Sequence, residues 1–386
     1  MIASLYIHVP FCAGACDYCD FYSVPVAPED PRINRYIDTL LAEGEDRINR
    51  FSVNRIPSVY IGGGTPSLLG ASGIGRLLQG IATFWNEAPQ EITVEANPES
   101  ADEAFLEACG EGGVTRLSLG VQSFHEPSRR AVGRVGAGAV LHERLQLIAE
   151  RFPQAFSVDL ITGLPFQDTY RLQEDIEKAL AYKPGHVSLY DLTVEPGTPL
   201  EMNARSHLPD RDEADQLWIA GRDTLEQAGY QQYEVSNFAL PGNRSRHNIR
   251  YWRMENWLGL GPAASGTLID DETGTGRRFT NQADVDNYVA SAYQEIGGLV
   301  HEEPLDRHTL MEETFLMGFR YIEGPDRSLF KKRFRLSIEA CIPETLAAWR
   351  NQGLVGPEPA LTKEGLLFLD LFLQDTLTEI EKKFYL

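Results

Sequence analysis

Cysteine is scarce in this chain of 386 residues, with five in all. That excludes a small secreted fold stapled by disulfides. Basic residues are few beside acidic ones: 35 Lys and Arg face 56 Asp and Glu, a net charge of −21. A surface of that sign repels phosphate backbones, so the sequence argues against a nucleic-acid partner. Apolar runs are short, and none approaches the ~18–20 residues that span a bilayer. The first residues, MIASLYIHVP, lack a basic flank and do not read as a signal peptide. The expectation is a cytoplasmic protein that meets a membrane only peripherally, through a partner or a docking surface. No internal repeat or low-complexity tract occurs, and monomer and homodimer both stay open.

What is present is an ordinary globular composition, 42% apolar and 24% charged. The first half alternates β-like runs with amphipathic ones. SLYIHV (4–9), SVYIGG (58–63), EITVEA (91–96), VTRLSL (114–119), FSVDLI (156–161) and HVSLYD (186–191) read as strands. INRYIDTLLAEGEDRI, SGIGRLLQGIATFW, ADEAFLEACGE and TYRLQEDIEKALA read as helices between them. Strands separated by helices imply βα units and a parallel sheet. The fold class is α/β, a partial or complete β/α barrel of six units, with a doubly wound sheet as the alternative. In either, chemistry gathers at the C-terminal ends of the strands. Cysteines, glycines and isolated polar residues follow the successive strands here, so they would converge on one site.

Residues 231–304 are less regular and carry HNIRYW (247–252). From 305 the chain reads as short helices with a small hairpin, a winged-helix-like module. The sequence thus divides into a core at 1–230, a connecting segment at 231–304 and a C-terminal module at 305–386. Winged helices often bind DNA. The acidic balance and the shortness of the basic patch SLFKKRFR (328–335) argue against that here.

Cys12, Cys16 and Cys19 form a Cys-x3-Cys-x2-Cys loop. Soft thiolates at this spacing suit zinc or an iron–sulfur cluster. Three is one short of a full set. A zinc site would need a nearby imidazole such as His8, whereas a [4Fe–4S] cube would keep one iron open. Glycine at 62–64 allows close backbone approach, although it can equally mark a turn. Glu95, Gln122, Arg134 and Asp159 lie on or just after apolar strands or turns. A carboxylate there suits a ribose diol, and Arg134 suits a carboxylate.

The cysteine loop, with Tyr18 before its third cysteine, resembles that of the radical S-adenosylmethionine (SAM) enzymes. The resemblance implies a [4Fe–4S] cluster whose open iron is chelated by SAM, so the fourth ligand comes from the cofactor. It also implies one-electron cleavage of SAM to a 5′-deoxyadenosyl radical, with the protein supplying positioning and exclusion of water. HVPFC, IGGGTPSLL, EANPES, LSLGVQSF, VDLITGLP and YEVSNFALPGNRSRHNIRYW, in that order, narrow it. Together they resemble the oxygen-independent coproporphyrinogen III oxidases and their heme-chaperone relatives over nearly the whole chain.

By that resemblance Tyr6, Gly63 and Glu95 would contact the cluster-bound SAM. Tyr18, Gly64, Thr65, Gln122, Arg134, Asp159 and Thr193 match positions around a second SAM in the oxidase. Two departures favour the chaperone branch, which binds heme and hands it to acceptor hemoproteins. Phe21 stands where the oxidase has a fourth cysteine, and the long extension before the oxidase's first strand is missing. His247 is then expected as a heme contact, since His is a common axial ligand and aromatics pack on porphyrin. Within Gly133-Arg134-Val135-Gly136 a His expected two residues after the Arg is also absent.

Overall fold

A computed structural model describes residues 1–27, 30–134, 138–203, 207–290 and 300–384. Val135 and Gly136 of the turn singled out above lie outside the described residues. Six parallel strands form where the sequence places them: Ser4–Val9, Ser58–Gly63, Glu91–Ala96, Arg116–Gln122, Phe156–Thr162 and His186–Asp191. They lie side by side in chain order, each bonded to the next. A doubly wound sheet reverses its order at a switch point. This one does not, which leaves the barrel-type arrangement.

Two strands depart from their expected limits: the fifth runs one residue further, to Thr162, and the fourth is shifted. The fourth starts at Arg116 and runs through a bulge between Gly120 and Gln122. There Gln122 takes a left-handed backbone, φ 69°, as bulged strands do when they re-aim a side chain.

Alternation along these strands explains the architecture, because successive side chains point to opposite faces. One face carries Leu5, Ile7, Val9, Val59, Ile61, Ile92, Val94, Leu117, Leu119, Val158, Leu160, Val187 and Leu189, all buried. These pack beneath helices such as Pro31–Arg50, Gly70–Ile81 and Thr169–Leu180, whose own buried faces join the same core. The other face carries Ser4, Tyr6, His8, Tyr60, Gly62, Thr93, Glu95, Ser118, Gly120, Asp159, Ser188 and Tyr190. An inward row of polar groups cannot be a dry core. It lines a lumen, and Tyr6, Tyr60, Glu95, Gly120, Asp159 and Tyr190 remain partly accessible there.

The irregular segment extends the sheet at both ends. Trp257–Leu260 pairs parallel with the first strand, and Ser265–Asp270, Thr275–Asn281 and Val300–Leu305 continue antiparallel beyond it. Asn237–Ala239 pairs antiparallel with the sixth strand. The helix Arg246–Trp252 crosses the N-terminal end of the lumen. Glu91, the first residue of the third strand, accepts from its Arg246 and His247 backbone amides at 2.9 Å each.

A second apolar core lies in the C-terminal helices, around Phe315, Phe319, Phe330, Phe334, Trp349 and Phe372. Met254 and Ile269 of the preceding segment pack into it, so that segment serves both cores. The hairpin expected there is reduced to one antiparallel bridge, Val355 to Leu361.

One buried polar group ties the first helix to the sheet extension. Glu43 is 1% exposed. Its carboxylate faces Arg47 at 3.0 Å and accepts from the Gly261 amide at 2.8 Å, Asn281 Nδ2 at 2.7 Å and the Tyr288 hydroxyl at 2.6 Å. Removing one partner of a buried, hydrogen-bonded pair leaves an uncompensated charge. Glu43→Ala is expected to lower stability by about 3–5 kcal/mol, read as a lower denaturant midpoint at unchanged slope.

Candidate SAM and cluster site

The cysteine loop leaves the first strand and is fixed at both edges. Phe11–Cys12 pairs with Val24–Pro25, and the Val24 amide donates to Pro10 O at 2.7 Å. In mid-loop the Cys19 amide donates to Cys16 O at 3.1 Å. Asp17 joins the loop to two other strand ends: its amide donates to Val132 O at 3.0 Å, and its carbonyl accepts from the Leu200 amide at 2.9 Å. Tyr18 packs onto the apolar cluster of Val132, Ile161, Leu164 and Leu200 behind the loop.

All three thiols are half-buried and free. Among the described residues no three Cys, His, Asp or Glu side chains converge on a point that one metal ion could occupy. A cube of four irons asks something different, because each iron takes its own thiolate. Three separate soft donors on one loop, open on one side, fit that demand. His8, the candidate fourth zinc ligand, is engaged elsewhere: Nδ1 with the Tyr6 hydroxyl at 3.0 Å and Nε2 with Tyr22 O at 2.8 Å.

The glycine run sits against this loop. Gly64 and Thr65 donate their amides to Val9 O at 2.8 Å and Phe11 O at 2.7 Å. A Cβ on Gly64 would lie 2.6 Å from Phe11 O, and one on Gly62 would lie 2.7 Å from the Glu95 carboxyl carbon. Gly63 has φ +103°, a backbone that side chains rarely adopt. The three glycines are therefore required by close approach and backbone, which goes beyond a simple turn. The Gly63 amide donates to Glu95 at 3.1 Å, and the Tyr60 hydroxyl donates to the same carboxylate at 2.6 Å.

Glu95 is surrounded by protein yet open to the lumen. Burial pushes its carboxyl up to about 7, and Asp159 adds to the rise, against the pull of the Tyr60 and Gly63 hydrogen bonds. Asp159 is pushed up to about 6 by burial, moderated by hydrogen bonds from Ser188 and Ser118. Tyr6 stacks on Tyr60 with ring centroids 6.3 Å apart.

A second group of polar atoms gathers one strand further on. Arg134 Nη2 donates to Asn97 Oδ1 at 2.7 Å and to Gly120 O, and Nη1 lies 3.7 Å from Cys16 Sγ. Asn97 in turn donates to Thr65 Oγ1 at 3.3 Å, and the Thr65 hydroxyl meets Cys12 Sγ at 3.4 Å. Gln122 joins them beside Gly120. Gln122 Oε1 and Arg134 Nε are buried and have no partner, so an acceptor and a donor are left for a ligand. Asn97, which follows the third strand, joins the site as the alternation of strands implies, whereas sequence reasoning missed Tyr60 and Ser118. The signal was their inward parity on the strands.

Two expected residues lie apart. Thr193 is on an exposed stretch after the sixth strand. His247 is 1% exposed at the opposite end of the lumen from the cysteines. Its Nδ1 meets Ser58 Oγ at 2.9 Å, and its Nε2 has no partner. Burial, with Arg250 nearby, holds the ring neutral and its pKa down at about 3.

A loop of three thiols at the mouth of a barrel-type sheet, with a glycine cradle and a raised carboxyl beside it, defines the chain as a radical SAM protein. The sequence agrees, matching the radical SAM superfamily over residues 6–179. It is 34% identical over 356 residues to the heme chaperone HemW of Lactococcus lactis, covering 91% of this chain and 90% of that one. It is 32% identical over 379 residues to HemW of Escherichia coli, covering 97% and 98%. A mitochondrial radical SAM domain-containing protein 1 of Mus musculus is 33% identical over 378 residues, covering 95% and 82%. The chain belongs to the HemW family. Its fold matches the Escherichia coli coproporphyrinogen III oxidase HemN at a TM-score of 0.81, 22% identity, covering 97% and 89%.

Two outcomes follow from this geometry. Gly64→Ala forces apart the backbone that holds the cysteine loop. It is expected to cost about 1–3 kcal/mol and to lower iron and sulfide per chain after anaerobic reconstitution. Glu95 is raised in the folded state, so between pH 4.5 and 7 the native chain holds a proton that the unfolded chain has released. Stability from this group therefore falls as pH rises through that window. Glu95→Gln should gain stability over the parent above pH 7 and lose that advantage near pH 4, measured by thermal denaturation across pH.

Proposed function

We propose that this chain binds heme and delivers it to acceptor hemoproteins, carrying a [4Fe–4S] cluster on Cys12, Cys16 and Cys19 with SAM at the open iron. The observation that carries the choice of function is Phe21. It is 63% exposed at the cluster loop, so it is not kept there to fill a core. An aromatic in place of a further thiol argues against oxidase turnover and suits an apolar ligand.

When bound, the cluster supplies a low-potential electron and an iron that SAM can chelate. The remaining work belongs to the protein. Tyr6, Gly63 and Glu95 are the proposed contacts of cluster-bound SAM. The Glu95 carboxylate, oriented by the Gly63 amide and the Tyr60 hydroxyl, presents its remaining acceptor sites to the polar end of SAM. Arg134, with Nε free, and Gln122, with Oε1 free, offer complementary groups to a carboxylate and an adenine. With Tyr18, Gly64, Thr65, Asp159 and Thr193 they are the proposed contacts of a second SAM. His247, the heme contact expected by resemblance, has a neutral imidazole with an open Nε2. It is, however, enclosed between Tyr60 and Tyr251 at the floor of the lumen, which suits a structural part rather than axial ligation. Among the described residues no helix is long and apolar enough to cross a membrane. The proposed location is the cytoplasm.

The likeness of the fold to HemN favours a second reading, oxidative decarboxylation of coproporphyrinogen III to protoporphyrinogen IX. One anaerobic experiment separates the two. Reconstituted protein is given SAM, reductant and coproporphyrinogen III, and in a parallel tube hemin followed by apomyoglobin. The expected result is an unchanged tetrapyrrole mass and transfer of heme to apomyoglobin. Loss of two carboxyl groups with 5′-deoxyadenosine formation would overturn the chaperone reading.

A further inference from the structure

We propose that heme is held at the mouth of the lumen, with its iron ligated by His207 and its macrocycle lying along Phe166. The inference rests on the heme-binding reading above and assigns it a site.

Large apolar side chains are exposed around this mouth. Phe166 follows the fifth strand and is 48% exposed, while Met202 follows the sixth and is 72% exposed. Phe21 and Tyr190 are exposed at the ends of the first and sixth strands. Single exposed apolar residues are ordinary. Their gathering at one end of a sheet, on a chain of charge −21, marks a face that meets an apolar ligand.

Phe166 is set in place at a cost. Its φ is +62°, an outlier for a bulky side chain. Residues kept in such conformations carry strain and cluster at ligand sites. The turn is locked from beneath: Gln167 Nε2 donates to Ile161 O at 3.0 Å, and the Leu164 amide donates to Gln167 Oε1 at 3.3 Å. The strained turn thus holds an aromatic ring out toward solvent.

That ring packs on His207, with centroids 4.5 Å apart and planes at 32°. The Phe166 amide donates to His207 O at 3.3 Å, which pins the two together. The imidazole is exposed, so iron can reach it. An accessible imidazole backed by an aromatic ring is a donor set for heme. The position is beside the cluster loop: Leu200, two residues before Met202, donates its amide to Asp17, between Cys16 and Tyr18. By contrast His247 is enclosed by Tyr60 and Tyr251, at ring distances of 5.3 and 4.9 Å. A rigid macrocycle has no open edge there.

The test uses the full chain with its cluster reconstituted, titrated with hemin and followed by the Soret band and low-spin electron paramagnetic resonance. His207→Ala is expected to bind hemin at least about tenfold more weakly and to lose the low-spin imidazole signature. Added free imidazole should restore that signature. His247→Ala should keep the parent spectrum. Retention of the parent low-spin spectrum by His207→Ala, with normal circular dichroism, overturns the assignment and leaves the heme-binding reading intact. Failure of the parent itself to bind hemin overturns that reading instead.

Discussion

The whole site hangs on a contact between two pieces of backbone. Residues 64 and 65 donate amides into carbonyls of residues 9 and 11 with no room for a side chain between them. It anchors the start of the cysteine loop to the second strand. With it, the first two strands act as one jaw. The Asp17 bonds to the ends of the fourth strand's turn and the sixth strand's helix then close the loop from the other side. Three scattered thiols become a fixed rim on a rigid scaffold, which is what a bound group needs for its orientation to be set by the protein.

Much of this was legible in the residues, for stated reasons. The six strands were found by their apolar runs, because a parallel strand packed under helices keeps its outward residues apolar. The same runs concealed the lumen. Tyr60, Thr93 and Ser118 sit inside otherwise apolar strings and read as interruptions until parity puts them all on one face. The bulge at Gln122 was invisible, since nothing local in LSLGVQ distinguishes a strand that ends at 119 from one that turns its last side chain inward. Asn97 was placed at the end of the third strand, but its part was not legible: its amide joins Arg134 to Thr65.

The region from 231 to 304 was the least legible, and the reason is topological. Its strands pair with the first and sixth strands, far away in sequence, so no local period announces them. HNIRYW drew attention as a heme motif by resemblance. Its position gives it a second, structural part. Ser245 caps the helix, Glu91 binds its first amides, and His247 reaches Ser58. Together they close the N-terminal end of the lumen. Among the described residues, that helix covers the N-terminal end, and the cysteines lie at the other.

The left-handed turn at Phe166 has a consequence for how this protein can change. Glycine there would relax the left-handed backbone and give up the ring's packing on His207. A phenylalanine at 166 therefore sets backbone ease against an apolar surface held at the mouth, so that durability and purpose pull in opposite directions at one position.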